Sequence, residues 1–194
     1  MRNCKKGFTL IELLVSVSII GIILTVVLWN FGGFNEKLAL SSAAQEMALS
    51  IRQTQTYGIN VRESAVSSNQ FSNAYGIYIS SLTPSSYVVY VDSNSNNTYN
   101  AGTDVLVETV SLRNGMTISG VCNNGTSGCT TPSGGVGANI TFLRPNPDAR
   151  IYFTNSSGVN IAGGPVALGK IQLRSPKGTF VYVIIESTGQ ITLQ

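Results

Sequence analysis

From Phe8 to Phe31 the chain runs for 24 residues with a single ionisable side chain, Glu12. As a helix rising about 1.5 Å per residue, that run is long enough to cross a hydrocarbon core of roughly 30 Å. Gly32-Gly33 follows and reads as a flexible joint. Asn35 then reads as an N-cap, with Glu36 in the first turn of a second helical stretch. Leu40, Ala44, Met47, Ile51 and Thr54 recur at spacings of four, three, four and three, which makes one stripe. Gln45, Glu46, Ser50, Arg52 and Gln53 fall on other faces. No proline interrupts residues 8–57, so the two stretches can run as one long spine that lays its stripe on a sheet.

From Tyr75 the period changes to two. Short strands are predicted at Tyr75–Ile79, Tyr87–Val91, Val105–Ser111, Met116–Ser119, Ile140–Leu143, Ile151–Thr154, Ile171–Arg174, Phe180–Ile185 and Ile191–Leu193. They are rich in Val, Ile, Tyr and Thr, and Gly, Asn, Ser and Pro separate them. The last two are predicted to form a hairpin turning at Ser187-Thr188-Gly189. One N-terminal helix followed by many closely spaced strands argues for an α+β fold with antiparallel sheets.

Charge narrows the functional classes. The chain is 43% hydrophobic and 11% charged, with a formal net charge of +3. Arg2, Lys5 and Lys6 carry all of that excess, and removing residues 1–7 leaves nine basic and nine acidic side chains. No run of cations with interleaved aromatics remains along the sequence, so the usual footprint of a nucleic-acid binder is missing. Histidine is absent, which removes the commonest general base and most nucleophile relays. Gly134-Gly135-Val136-Gly137 has no following helix or P-loop lysine and so makes no phosphate cradle. Arg144, Asp148 and Arg150, near Pro145 and Pro147, suggest a constrained turn with local charge pairing. The reading is of a structural protein, with no enzyme activity and no cofactor.

The cations at Arg2, Lys5 and Lys6 flank the apolar run, so the positive-inside rule keeps that end cytoplasmic and sends the rest outward. A secretory signal peptide would have a shorter apolar core and a small-residue cleavage site, whereas bulky Trp29-Asn30-Phe31 follows here. On the far side of a membrane, Cys122 and Cys129 enclose the flexible loop Cys-Asn-Asn-Gly-Thr-Ser-Gly-Cys and are expected to form a disulfide, with free thiols as the alternative. Glu12 stands out most, because a carboxylate at membrane depth is costly and by default marks function. A protonated or interface-seeking glutamate is the plainer alternative, and a simple single-span anchor the plainer reading of the helix.

The segment Gly7-Phe-Thr-Leu-Ile-Glu12, continuing to Ile23 behind its basic leader, resembles the type IV pilin and pseudopilin signature. The resemblance implies cleavage after Gly7 by a prepilin peptidase and N-methylation of Phe8. It also implies that Glu12 of one subunit neutralises the Phe8 amine of its neighbour in a filament. Two opposite charges at low dielectric attract strongly, and either alone is heavily penalised, so such a pair sets register. Major pilins often carry a helix-disturbing proline at the position that is Trp29 here, and its absence leans toward a minor subtype. The strand pattern and the insertion Tyr87–Asp104 resemble the type II secretion minor pseudopilin H (GspH/FimT) family.

The organisation expected is a cleaved leader (1–7), a transmembrane and filament-core helix (8–31), an amphipathic extension (32–60) and a β-rich head (61–194). The expected partners are other pilin or pseudopilin subunits, prepilin peptidase, an inner-membrane assembly platform and membrane lipid. The expected location is the bacterial inner membrane, single-pass, with the head periplasmic or extracellular. Two rivals stand beside a role in a type II secretion pseudopilus or type IV pilus. One is a DNA-uptake minor pilin, for which Lys170, Arg174 and Lys177 are the only cations near the C-terminus. The other is a tethered β-domain that never polymerises. Asp92, Asn94, Asn96 and Asp104 space their oxygens as a weak calcium candidate, with Asn97 in place of the sharp-turn glycine. An Asn-rich loop bonding its own backbone is the favoured alternative there.

Overall fold

The computed structural model describes residues 7–60, 72–123, 136–161 and 163–194. The chain divides into two compact units, Met1–Leu38 and Ala39–Gln194. Helix α1 spans Leu10–Ile59 without a break. It passes through Gly32, Gly33 and Asn35, so Asn35 caps no second helix, contrary to the sequence expectation. The reason is that glycine costs a helix about 1 kcal/mol relative to alanine but leaves the i→i−4 ladder intact. Only a proline would remove a bond from it, and none is present.

The first unit holds the apolar part of α1. Its large side chains from Phe8 to Leu28 are exposed all round the helix. The hydroxyls it contains are satisfied internally. Ser16 donates to Glu12 O at 2.7 Å, Ser18 to Leu14 O at 2.8 Å and Thr25 to Gly21 O at 2.8 Å. A helix that closes its own backbone and side-chain hydrogen bonds and shows apolar surface on every side meets the requirements of a hydrocarbon solvent. By length and composition this helix can cross a membrane.

The second unit is an antiparallel β head around the rest of α1. Its strands are β1 (Ala74–Ser80), β2 (Ser86–Asp92), β3 (Val105–Ser111), β4 (Thr117–Cys122), β5 (Gly137–Phe142), β6 (Ala149–Thr154), β7 (Leu168–Arg174), β8 (Phe180–Glu186) and β9 (Ile191–Leu193). They form a five-stranded sheet, β3-β2-β1-β5-β6, and a four-stranded sheet, β4-β7-β8-β9. Each predicted strand overlaps an observed one, several lengthened by one to three residues, while Met116 and Leu143 fall just outside β4 and β5. The expected β8–β9 hairpin forms, pairing Val183 with Leu193.

Leu40, Ala44, Met47, Ile51 and Thr54 are all buried, so the predicted stripe is the face that meets the core. Ala43 joins it, and the cluster continues through Ile77, Ile140, Phe142 and Phe153 of one sheet and Ile118, Leu173 and Ile185 of the other. Burying each large aliphatic side chain contributes about 1.5–3 kcal/mol. The result is an α+β, pilin-like architecture: one long N-terminal apolar helix followed by antiparallel sheets.

β5 is buried at every position, where alternation would expose every second residue. Its outer face is covered by the loop between β2 and β3. Tyr99 of that loop lies 5.5 Å from the Tyr78 ring and 5.1 Å from the Tyr90 ring. Tyr90 in turn fits over Gly76, where a Cβ would come within 2.6 Å of the ring.

Candidate functional site

The chemistry singled out by sequence starts where α1 begins. Gly7 and Phe8 precede the helix and are exposed, and Glu12 lies in its first turn. Thr9 supplies the cap: its Oγ1 accepts from the Glu12 N–H at 3.4 Å, and its hydroxyl reaches Glu12 Oε2 at 3.5 Å. This is a variant of the capping box, with the glutamate meeting the threonine hydroxyl in place of its backbone N–H. The carboxylate also sits at the positive end of the helix dipole, which favours it there. Thr9 is a partner for Glu12 that the charge pattern alone does not reveal; its signal in the sequence is the Thr-x-x-Glu spacing. The arrangement presents one oriented carboxylate at the start of an uninterrupted apolar surface.

The second candidate, the Asp92 loop, is organised by its own backbone. Asp92 is fully buried, and its two oxygens accept from Asn96 N–H at 3.2 Å and Asn97 N–H at 2.8 Å. Asp104 accepts from Ser93 N–H at 3.0 Å and Asn100 N–H at 2.7 Å. Asn94 Oδ1 accepts from Asn96 N–H at 3.1 Å, and Asn96 Oδ1 from Thr98 N–H at 2.8 Å. All four candidate residues therefore come together in one loop, with their oxygens already engaged by N–H donors. Ser95 and Asn97 take left-handed backbone conformations, φ 58° and 59°, that direct these amides inward. Among the described residues no group of three or more His, Cys, Asp and Glu side chains converges as a metal cage. Burial raises the Asp104 carboxyl above its ordinary value, aided by the nearby Asp92 charge and opposed by the Asn100 and Ser93 amides.

The loop is also anchored to the sheet. Asn139, buried in β5, accepts from Tyr99 N–H at 2.8 Å and from the Tyr90 hydroxyl at 3.3 Å. Among the described residues its Nδ2 has no partner, and a bridging water would satisfy it. Thr141 donates to Asn97 Oδ1 at 3.0 Å.

The remaining candidates are scattered. Cys122 ends β4, fully buried, and Cys129 lies outside the described residues. Gly134 and Gly135 also lie outside them, while Gly137 opens β5 against the Tyr78 ring. Arg144, Asp148 and Arg150 line a cleft of about 580 Å³ with Pro145, Ser187 and Thr188. The charge pairing expected there is not formed; among the described residues none of these three side chains makes an ion pair. Each is held by its own strand or turn, and a solvated surface gives little return for ordering two long side chains together.

Comparison with known proteins finds one match. The prokaryotic N-terminal methylation motif covers residues 2–28. No curated protein and no solved structure matches the chain. The matched segment contains Gly7, Phe8, Thr9 and Glu12 and much of the apolar helix. The chain thus carries a type IV pilin-like N-terminal signal, of the kind a prepilin peptidase processes, and that signal belongs to structural subunits.

Proposed function

We propose that this protein is a minor pilin or pseudopilin. In this reading residues 1–7 are a leader cut after Gly7, and Phe8 becomes the methylated N-terminus. Residues 8–31 serve first as membrane anchor and then as filament core, 32–60 extend the spine, and 61–194 form the displayed head. Glu12 of an incoming subunit neutralises the Phe8 amine of its neighbour, and the pair sets the stagger between helices. The filament is a type II secretion pseudopilus or a type IV pilus. One observation carries the reading: the methylation motif covers an apolar helical stretch, 10–28, whose only charged side chain is a capped Glu12, and the later residues of the same helix are buried in a β head.

Pairing of Cys122 with Cys129 belongs to the same proposal. It is supported by the burial of Cys122 at the end of β4 and by its sulfur being bonded rather than free.

The test is intact mass and N-terminal sequence of the protein from native membranes. A chain starting at methyl-Phe8, absent in a Gly7→Ala variant and in a strain lacking prepilin peptidase, is the expected result. An intact Met1 in the native strain overturns the reading and leaves a tethered β-domain. Glu12→Gln is expected to be processed normally yet fail to enter filaments, with the head still folded.

A further inference from the structure

One end of the head gathers three turns. The β3–β4 turn (112–116) is tied to the β1–β2 turn (81–85), because Leu112 N–H donates to Ser85 O at 2.8 Å and Ile118 N–H to Pro84 O at 2.7 Å. The β7–β8 turn (175–179) lies beside them, with Pro176 Cγ only 3.2 Å from where a Cβ on Gly115 would sit. Together they present Arg113, Arg174 and Lys177, all exposed. The Arg174 guanidinium lies 5.6 Å from the Phe180 ring centroid. Phe180 is 46% exposed and Leu82, at the tip of the first turn, 58% exposed. Residues 81–85, 112–119 and 174–180 contain no acidic side chain. Glu46 and Glu108 line the same groove as Arg113, so the acidic side chains nearest this end stand beside that one cation. The opposite end of the head mixes its signs, with Arg144 and Arg150 beside Asp148, and with Asp92 and Asp104 in the neighbouring loop. The sequence shows no basic stripe because these three cations are up to 64 positions apart, and only the fold collects them.

The course of α1 through the head gives this end a direction. Ser50 Oγ and Tyr87 OH are 2.9 Å apart, and Tyr87 is the second residue of β2, next to the cationic turns. Further along, Gln55 donates to Pro147 O at 2.8 Å, and Gly58 packs on Phe142, the last residue of β5, at the mixed-charge end. Within the head the helix therefore runs from the cationic end to the mixed one. Residues 39–50, the first part of the helix that belongs to the head unit, lie toward the cationic end.

We propose that this cationic end is a docking surface for the anionic phospholipid headgroups of the membrane that holds the apolar helix. The inference rests on the membrane anchoring proposed above. Each Lys or Arg brought to an anionic leaflet strengthens association by about fivefold. The Phe180 ring and the Leu82 side chain supply the apolar tips that settle at a headgroup boundary. Covalent attachment to a membrane-held helix raises the effective concentration enough for so small a surface to matter. The head of an unassembled subunit would rest on the bilayer and leave it on entering a filament.

The experiment is hydrogen exchange on the full chain in vesicles of phosphatidylcholine, with and without added phosphatidylglycerol. Exchange in the three turns is expected to slow at least about fivefold when phosphatidylglycerol is present. High salt should reverse the effect, and the triple variant Arg113→Glu, Arg174→Glu, Lys177→Glu should abolish it. Exchange in β1 and β5 reports folding, and the corresponding triple glutamine variant replaces the charge-reversed one if that fails to fold. Equal exchange of the turns in both lipids, with residues 10–28 protected, overturns this inference alone. Free exchange of residues 10–28 overturns the membrane reading itself, and this inference with it. Slowing of the turns by a DNA duplex and not by phosphatidylglycerol would make nucleic acid the partner and overturn the lipid assignment.

Discussion

The two halves of α1 are continuous in backbone and opposite in design. From Leu10 to Leu28 the large side chains are exposed on every side, and polarity is reduced to Glu12 and to hydroxyls bonded back to the helix. From Leu40 to Gly58 a single buried face alternates with Glu46, Arg52 and Gln53 in solvent. The first pattern suits a surrounding that is apolar all round; the second suits a sheet on one side and water on the other. Helix propensity cannot explain the difference, since both halves are helical. The partner of each half is what the pattern records.

The sharpest way to break that comparison is to cut the same amount from each half. Ile51→Ala removes a fully buried side chain from the core and is expected to destabilise the head by about 2–5 kcal/mol. Leu24→Ala removes an exposed one and should change head stability by less than about 0.5 kcal/mol. Urea unfolding of the full chain in detergent, followed by the near-ultraviolet signal of the head tyrosines, measures both. Equal effects would mean that the halves share one core after all.

Glycine gives a second contrast of smaller size. A Cβ at Gly58 would lie 2.5 Å from Phe142 O and 2.8 Å from its Cβ, both held by β5. Gly58→Ala must push the helix off the sheet, at a cost of about 1–3 kcal/mol. Gly21 has nothing within 4 Å, so Gly21→Ala should only stiffen the helix, by up to about 1 kcal/mol. The same unfolding assay should show a loss for the first and no loss for the second.

This division was legible in the sequence where a pattern repeats within one element. The stripe of Leu40, Ala44, Met47, Ile51 and Thr54 and the period-two strands are such patterns, and each fell where local spacing put it. Asn35 misled because a good capping residue after two glycines marks a boundary only when something interrupts the backbone ladder. The association of Tyr99 with Tyr78 and Tyr90 was not legible, since stacking across sequence gaps depends on sheet order and leaves no periodicity. The cationic end escaped for the same reason: the pairing of β4 with β7 sets Arg174 opposite Thr117, just after the turn that carries Arg113. At the N-terminus, the methylation motif that contains Gly7, Phe8 and Glu12 was readable because that signal is local, whereas the Thr9 cap went unread although its Thr-x-x-Glu spacing is just as local.

The smallest contrast is in titration. Tyr87 joins the head half of α1 to β2 through Ser50, and burial raises its phenol above the ordinary value of 10.0, with Glu46 and Glu108 adding to the rise and the Ser50 bond opposing it. Burial raises Tyr90 further, reinforced by Asp92 and Asp104. A raised phenol pKa means that the fold holds the neutral form more tightly than the unfolded chain does. Its contribution is complete below pH 10.0 and is lost as pH rises through the folded value. The head should therefore lose stability on the alkaline side. Tyr87→Phe should weaken that loss while costing about 0.5–1.5 kcal/mol at neutral pH, through the missing bond to Ser50. Residues 13–28 contain no ionisable side chain, so the helicity of the apolar half should not follow the same alkaline transition. Unfolding of the wild type and Tyr87→Phe across that range separates the halves by chemistry alone. An unchanged alkaline slope in the variant would show that Tyr90, or another phenol, carries the dependence and that the Ser50 contact does not.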